Sequence, residues 1–500
     1  MQKDHCMRRT KIVCTIGPAS SSEERLEQLM RAGMNVARLN FSHGTQQEHA
    51  VVIERIRRIA ARLDCPIAIL QDLQGPKIRT GPLQGQQPVT LLDNAVITIT
   101  TRDIMGSAEA VSTTYKLLPQ DVKPGDRILL NDGLLELRVL DKSATDVRCQ
   151  VVHGGVLGEH KGINLPGVAV SSPALTEKDR DDLRFGVMHD VDYVALSFVR
   201  KPEDILEAKR YIHELQSERH QEPKKHLIPI PLIAKLEKPE AIAHLDDILE
   251  VTDGVMIARG DLGVEMPPEK VPLIQKHIIA RCNELGLPVI TATQMLESMV
   301  TNPRPTRAEV NDVSNAVLDQ TDSVMLSAET ASGAYPIEAV EMMVRIALET
   351  EAGNRTAQQP RHQRLTQARA VSRAARTLSE EASVKAIVVF TRTGNSAHLI
   401  SKDRPRVPIL AYTPWEGIRR QLALWWGVWP HCIGLRGTTE ELIEDVEQRL
   451  IEDHLMQNGD YVVIMGGLPV ASWARTNFVK LHRIKAEEEQ NEQQSIRSFK

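Results

Sequence analysis

The stretch Leu232-Ile233-Ala234-Lys235-Leu236-Glu237, read with Met256-Ile257-Ala258-Arg259-Gly260-Asp261-Leu262-Gly263, decides the fold class. In each, a short apolar run ends abruptly in ionisable residues, as a buried strand does where it delivers charge to the rim of a sheet. Lys235 and Glu237 are two apart, so on a strand they point the same way. Asp261 emerges at the end of the next run. Two carboxylates beside a lysine suit a hard divalent metal carrying an anionic substrate. Phosphate chemistry is the reading to test on the rest of the chain.

Working outward, eight runs of this kind can be marked: Lys11–Gly17, Met34–Phe41, Ile67–Leu73, Tyr193–Val199, Leu232–Glu237, Gly254–Arg259, Pro288–Thr293 and Ser323–Glu329. Helical patterns separate most of them. Ser21 with Glu24 predicts a capping box, and Gly33 ends that helix. Thr306 with Glu309 predicts another, and Gly286 with Pro288 stops the helix bearing Ile274, Ile278 and Ile279. Such alternation predicts an α/β fold, a (β/α)8 barrel. Between the third and fourth runs the pattern instead alternates residue by residue, as in Val96–Thr100, Arg127–Leu130, Leu134–Leu140 and Val147–Val152. This predicts an inserted β domain hinged near Gly75-Pro76 and Pro166-Gly167.

The expected division is barrel over 1–75 and 167–345, β lid over 76–166, and a C-terminal α/β domain over 346–485. Strands are expected there at Ala386–Thr391, Pro408–Tyr412, Tyr461–Met465 and Phe478–Ile484. The polar tail, 486–500, reads as disordered.

Composition narrows the function. The 500 residues, 42% apolar and 25% charged, suit a globular protein with several cores. Aromatics are scarce at 3%, and the net charge of −5 is spread without a basic block, so neither nucleic acid nor a membrane surface is an expected partner. Six scattered cysteines without a CxxC pair read as reduced thiols. Met1–His5 lacks the apolar core of a signal peptide, and no run reaches membrane-spanning length, so a cytoplasmic location is expected.

Active sites of such barrels sit at the C-terminal strand ends. Those ends carry Arg38, Asn40, Ser42, Asp72, Ser197, Arg200, Lys235, Glu237, Arg259, Asp261, Thr293, Ser327 and Glu329. Glu237 and Asp261 are the expected metal ligands, since Mg2+ keeps waters and takes substrate oxygens besides a pair of carboxylates. The alternative is that one of the two merely neutralises Lys235. Lys235 is placed to stabilise a phosphoryl group in flight. Thr391-Arg392-Thr393-Gly394-Asn395-Ser396 follows a strand and could nest a phosphate, or be only a polar turn. His43 and Lys161 remain open between nucleotide contact and a bland structural role.

The chain resembles pyruvate kinase from about Lys11 to Ile484, in NVARLNFSHG (35–44), LQDLQGPKIRTG (70–81), KGINLPG (161–167), ALSFVRKPED (195–204), IAKLEKPEA (233–241), GVMIARGDLGVEMP (254–267), ITATQMLESM (290–299) and PTRAEVNDVSNAVLDQTDSVMLSAETASGAYP (305–336). The resemblance implies phosphoryl transfer from phosphoenolpyruvate to ADP, giving pyruvate and ATP, with Mg2+ or Mn2+, in a homotetramer controlled by a phosphorylated effector. Carried over by motif, Lys235 would stabilise the transferring group, while Glu237 and Asp261 would bind the metal. Gly260, Asp261 and Thr293 would hold phosphoenolpyruvate, Thr293 also lying near the protonation route. Arg38 would bind the substrate phosphate. Asn40, Phe41, Ser42, His43, Arg79 and Lys161 would contact nucleotide.

Asn40, Ser42, Asp72 and the Leu73 carbonyl match the family's potassium site. Lys77, however, stands where potassium-dependent members have glutamate, which implies an enzyme that does not require K+. Leu73 and Gln74 travel with that lysine branch; Thr80 looks like the other. Gly466–Ser472 departs from the usual effector-loop sequence. The rival readings are a Mg2+-dependent aldolase or phosphoenolpyruvate mutase on the same barrel, and an inactive paralogue kept for assembly.

Overall fold

The computed structural model describes residues 8–168, 170–219, 228–353, 366–468 and 475–484. Eight parallel strands close into a barrel: Lys11–Ile16, Val36–Asn40, Ala68–Asp72, Tyr193–Leu196, Leu232–Leu236, Gly254–Ala258, Val289–Ala292 and Ser323–Leu326. These are the eight expected runs, each shortened at its C-terminal end and three of them at both ends. Nearly every residue in them is buried, because side chains fill the barrel on one face and meet the helical ring on the other. Closure comes from the first strand, which pairs with the last (Lys11 opposite Ser323) and with the second (Val13 opposite Val36).

Local signals set the helix ends. Thr306 and Glu309 form the expected capping box. The first helix, Glu23–Ala32, is capped by Ser22, whose side chain accepts from the Arg25 N–H, so the Ser21 expectation is off by one residue. Gly33 terminates that helix at φ +123, a conformation only glycine adopts without strain.

The insertion is a six-stranded sheet with a separate two-stranded ribbon. It has its own core, including Ile97, Ile99, Leu130, Leu137 and Cys149, all at 0% exposure. Three-residue strands at Val89–Leu91, Ala110–Ser112 and Gly155–Leu157 were too short to leave an alternation in the sequence. The C-terminal sheet runs in the order Val428–Cys432, Ile409–Thr413, Ala386–Phe390, Tyr461–Gly466, Phe478–Arg483, the last antiparallel. Val428–Cys432 was not foreseen. Pro430 demotes it in a reading by pattern, yet it is an edge strand, where a missing N–H is tolerated.

The C-terminal domain seats against the N-terminal end of the barrel. Tyr193 Oη donates to the Gln421 carbonyl at 2.6 Å, Ser323 Oγ to Leu424 at 3.0 Å, and Lys11 Nζ to Val428 at 2.6 Å. Asp322, fully buried, pairs with Lys402 at 2.6 Å and Arg404 at 3.0 Å. The opposite end, where the chemistry-bearing residues emerge, stays free for a site. Cys14, Cys65, Cys149, Cys282 and Cys432 are free thiols. Among the described residues no helix is long and apolar enough to cross a membrane. The passage 469–474 and the tail from 485 lie outside the described residues, and with them most of the departing effector-loop stretch.

Candidate active site

Lys235, on the fifth strand, is the hub. Its ammonium donates to Ser197 Oγ at 2.7 Å and forms ion pairs with Glu237 Oε1 at 2.8 Å and Asp72 Oδ1 at 3.1 Å. Burial works against its charge, but Asp72 and Glu237 outweigh it, and its pKa is held above the usual lysine value. Asp72 carries a second cation: Arg38 Nε lies 2.6 Å from Oδ2. Despite burial, Lys235 and Arg38 hold the Asp72 carboxyl below its ordinary range. Arg38 Nη1 donates to Thr15 Oγ1 at 2.9 Å, which leaves guanidinium N–H groups for an anion.

Glu237 is also buried, and Oε2 accepts the Phe198 N–H at 2.8 Å. Its pKa is raised, first by burial and then by the charge of Asp261, with Lys235 pulling the other way. An acid whose charge disfavours that of Glu237 makes with it a donor pair that a divalent cation relieves, and both are hard oxygen ligands. No group of three or more acidic, histidine or cysteine side chains converges among the described residues, so a metal here would complete its shell from water and substrate.

Asp261 sits in the first turn of helix Arg259–Glu265, directly after the sixth strand. The Gly260 N–H donates to Thr293 Oγ1 at 2.7 Å, and that hydroxyl donates to the Ala292 carbonyl at 2.7 Å. Thr293 has φ +67, a strained conformation for a β-branched residue. Arg259 holds it there: Nη2 bonds the Thr293 carbonyl at 2.7 Å while Nη1 pairs with Asp312 at 2.7 Å. Arg259 is thus turned to the backbone. Arg200 likewise bonds the Ser172 carbonyl at 2.9 Å, and Glu329 accepts from the Leu296 and Ser327 N–H groups. These three strand-end residues hold loops in place.

On the lid side, Arg79 and Lys161 come together where the chain enters and leaves the insertion. Arg79 bridges to Gly162; the Thr80 N–H donates to the Lys161 carbonyl at 2.8 Å, and the Lys161 N–H returns to Thr80 Oγ1 at 2.9 Å. Thr80, fully buried, fastens the base of the lid. The His43 pKa is lowered by burial and then by the positive charges of Lys77, Arg79 and Arg38. The Lys77 side chain is exposed. Asn40 Oδ1 accepts the Ser42 N–H at 3.1 Å, and the Leu73 carbonyl accepts from Ser197 Oγ at 2.7 Å. Phe41 is 2% exposed and stacks on His49 at 4.2 Å, while its N–H donates to the Asp72 carbonyl at 2.9 Å and its carbonyl accepts from Lys178 at 2.8 Å.

Sequence reasoning gave no role to Ser197 or Thr15. Ser197 was visible as a polar strand end, and Thr15 as the one hydroxyl near the end of the first strand. The Thr391–Ser396 turn lies apart, on a cavity of about 470 Å3 in the C-terminal domain that Arg369, Arg436 and Arg475 also line. There Thr391 Oγ1 accepts the Gly394 N–H at 2.9 Å, and Ser396 Oγ lies 2.7 Å from Thr476 Oγ1.

A (β/α)8 barrel with an inserted β domain, and with buried lysine, arginine and carboxylates at its strand ends, has the layout of a barrel enzyme acting on an anionic substrate. The family model "Pyruvate kinase, barrel domain" matches residues 7–340, and "Pyruvate kinase, alpha/beta domain" matches 369–482. Pyruvate kinases of Staphylococcus saprophyticus and Staphylococcus aureus are each 46% identical over 96% of this chain and 81% of their own length. A crystal structure of a pyruvate kinase from Cryptosporidium parvum aligns with a TM-score of 0.89 at 37% identity, covering 97% of this chain and 98% of that one. The chain belongs to the pyruvate kinase family. It is a phosphotransferase of glycolysis that moves phosphoryl from phosphoenolpyruvate to ADP, and its family uses Mg2+.

Proposed function

We propose that the constellation around Lys235 carries this reaction. The single observation behind the reading is that Lys235, buried, meets Asp72, Ser197 and Glu237 at once. Glu237 and Asp261 would hold Mg2+ or Mn2+, which when bound offsets phosphate charge and orients the donor oxygens. Arg38, fixed by Asp72 and Thr15, holds the substrate phosphate, and Gly260, Asp261 and Thr293 hold the carboxylate end. A phosphoryl oxygen approaching Lys235 competes with the three oxygens already around its ammonium. Glu237 is the exchangeable one, because its charge has a second use beside Asp261. Lys235 stays protonated throughout neutral pH, so it acts by charge and not as a base. Asn40 to His43, with Phe41 fixing the loop by its packing, together with Arg79 and Lys161, take the nucleotide, and Thr293 lies on the proton route to the enolate.

The finer reading is a K+-independent enzyme of the bacterial lysine-containing branch. Asn40, Ser42, Asp72 and Leu73 are the candidate monovalent-cation ligands, but Asp72 is already neutralised by Arg38 and Lys235, and Lys77 adds a cation near His43. Thr80, whose identity looks like the other branch, has a structural use at the lid base that needs no ion. Residues 76–166 would move as the lid on the barrel (1–75, 167–345), beside a C-terminal effector and assembly domain (346–485). The cavity at Thr391, Arg392, Thr393, Gly394, Asn395 and Ser396 would take a phosphorylated effector, its charge met by the surrounding arginines. A cytoplasmic homotetramer completes the proposal.

The test is ATP formation from phosphoenolpyruvate and ADP with Mg2+ and only a bulky organic cation, against KCl at matched ionic strength. Full turnover without K+ is expected. Strong K+ activation sinks the branch assignment, and no turnover under either condition sinks the site.

A further inference from the structure

Both crossings between barrel and lid converge on one cluster beside Glu237. At the first crossing Gly75, at φ +67, lies so near Phe198 that a Cβ there would meet the ring at 2.7 Å. Phe198 is itself held at φ +56, and its N–H is the donor to Glu237. The Lys238 ammonium stands 5.7 Å from the centre of that ring. At the second crossing Asn164 Nδ2 donates to Glu265 Oε1 at 2.9 Å, and the same oxygen receives Lys238 at 2.5 Å.

Glu265 is 5% exposed and ends the helix that Gly260 and Asp261 begin. Its second oxygen is buried with no hydrogen-bond partner among the described residues. A carboxylate in that position is tolerable only while its cation and its amide donor both stay. Two domains are therefore joined at a charge that penalises their separation. The three residues joined are neighbours of the chemistry: Lys238 follows Glu237, Asn164 lies just beyond Lys161, and Glu265 shares a helix with Asp261.

We propose that Glu265 is a positioning residue for the nucleotide half of the reaction. Through Lys238 and Asn164 it registers the lid against the helix bearing Asp261, so that Arg79 and Lys161 reach ADP while the metal-side acids stay in place. This rests on the reading that Arg79 and Lys161 contact the nucleotide.

The experiment measures steady-state kinetics of the full chain with Mg2+ for Glu265→Gln, Asn164→Ala, the double variant and Arg79→Ala. Loss of a charge-assisted hydrogen bond should raise the KM for ADP by about tenfold in each latch variant. The kcat and the KM for phosphoenolpyruvate should stay within about twofold, and the double variant should be no worse than the worse single one. If both KM values rise while kcat falls, or the two substitutions simply add, Glu265 has only a structural role and the inference is overturned. Should Glu265→Gln fail to fold, Asn164→Ala, on the lid side, decides alone. An unchanged KM for ADP in Arg79→Ala overturns the nucleotide reading and the inference with it. A raised value there beside unaltered latch variants overturns the inference only.

Discussion

Replacing Lys235 by methionine separates the two chemical halves of the reaction. The substitution keeps most of the volume and removes an ammonium that now sits 2.7–3.1 Å from three acceptors. A phosphoryl oxygen taking the place of one of them would come within roughly 3 Å of that charge. At an effective dielectric of about 20 such a contact is worth about 5.5 kcal/mol, or about a 10^4-fold loss in kcat when it is made chiefly in the transition state. Enolisation of pyruvate involves no phosphoryl in flight. It is expected to fall by no more than about 10^2-fold, the scale of one lost electrostatic donor. The assay pairs coupled ATP formation with solvent-deuterium exchange into pyruvate on one preparation, and circular dichroism confirms the fold. Equal losses in both reactions would refute the assignment of Lys235 to the transferring group.

Other expectations follow from groups away from the reacting atoms. Asp322→Asn removes the carboxylate that, among the described residues, forms the ion pairs of Lys402 and Arg404 and leaves two buried cations without it; a loss of about 3–5 kcal/mol should appear as a lower urea midpoint, and an unchanged midpoint would contradict it. Lys11, fully buried, has its pKa pushed down to about 7 by burial and then by Arg8. The unfolded chain keeps that proton up to about 10.5, so stability should rise with pH between these values, and the slope should flatten in Lys11→Met when unfolding is measured at several pH values in that window. Replacing Thr391, Thr393 and Ser396 with valine or alanine should abolish activation by the phosphorylated effector while leaving unstimulated turnover intact; activation that persists would place the effector elsewhere.

Much of the molecule was legible in the chain because barrel strands announce themselves. Each is an apolar run buried on both faces and closed by a polar end, and that pattern is local. The pairing of Lys235 with Glu237 followed from strand periodicity alone. The motif passages around Arg38, Asp261 and Thr293 identified the family without any coordinates. Properties set by long-range contact could not be read this way. Val428–Cys432 is a strand only because a neighbouring sheet edge accepts a proline, and the packing of Phe41 against His49 and Phe185 has no counterpart in its local pattern. That Asp72 is shared by Arg38 and Lys235, that Thr80 fastens the lid, and that Glu265 meets Asn164 across 101 positions of sequence are decided by closure of the barrel and seating of the lid. A one-dimensional pattern records which face of an element is buried; which charge lies opposite which depends on how the elements pack, and only the tertiary structure sets that distance.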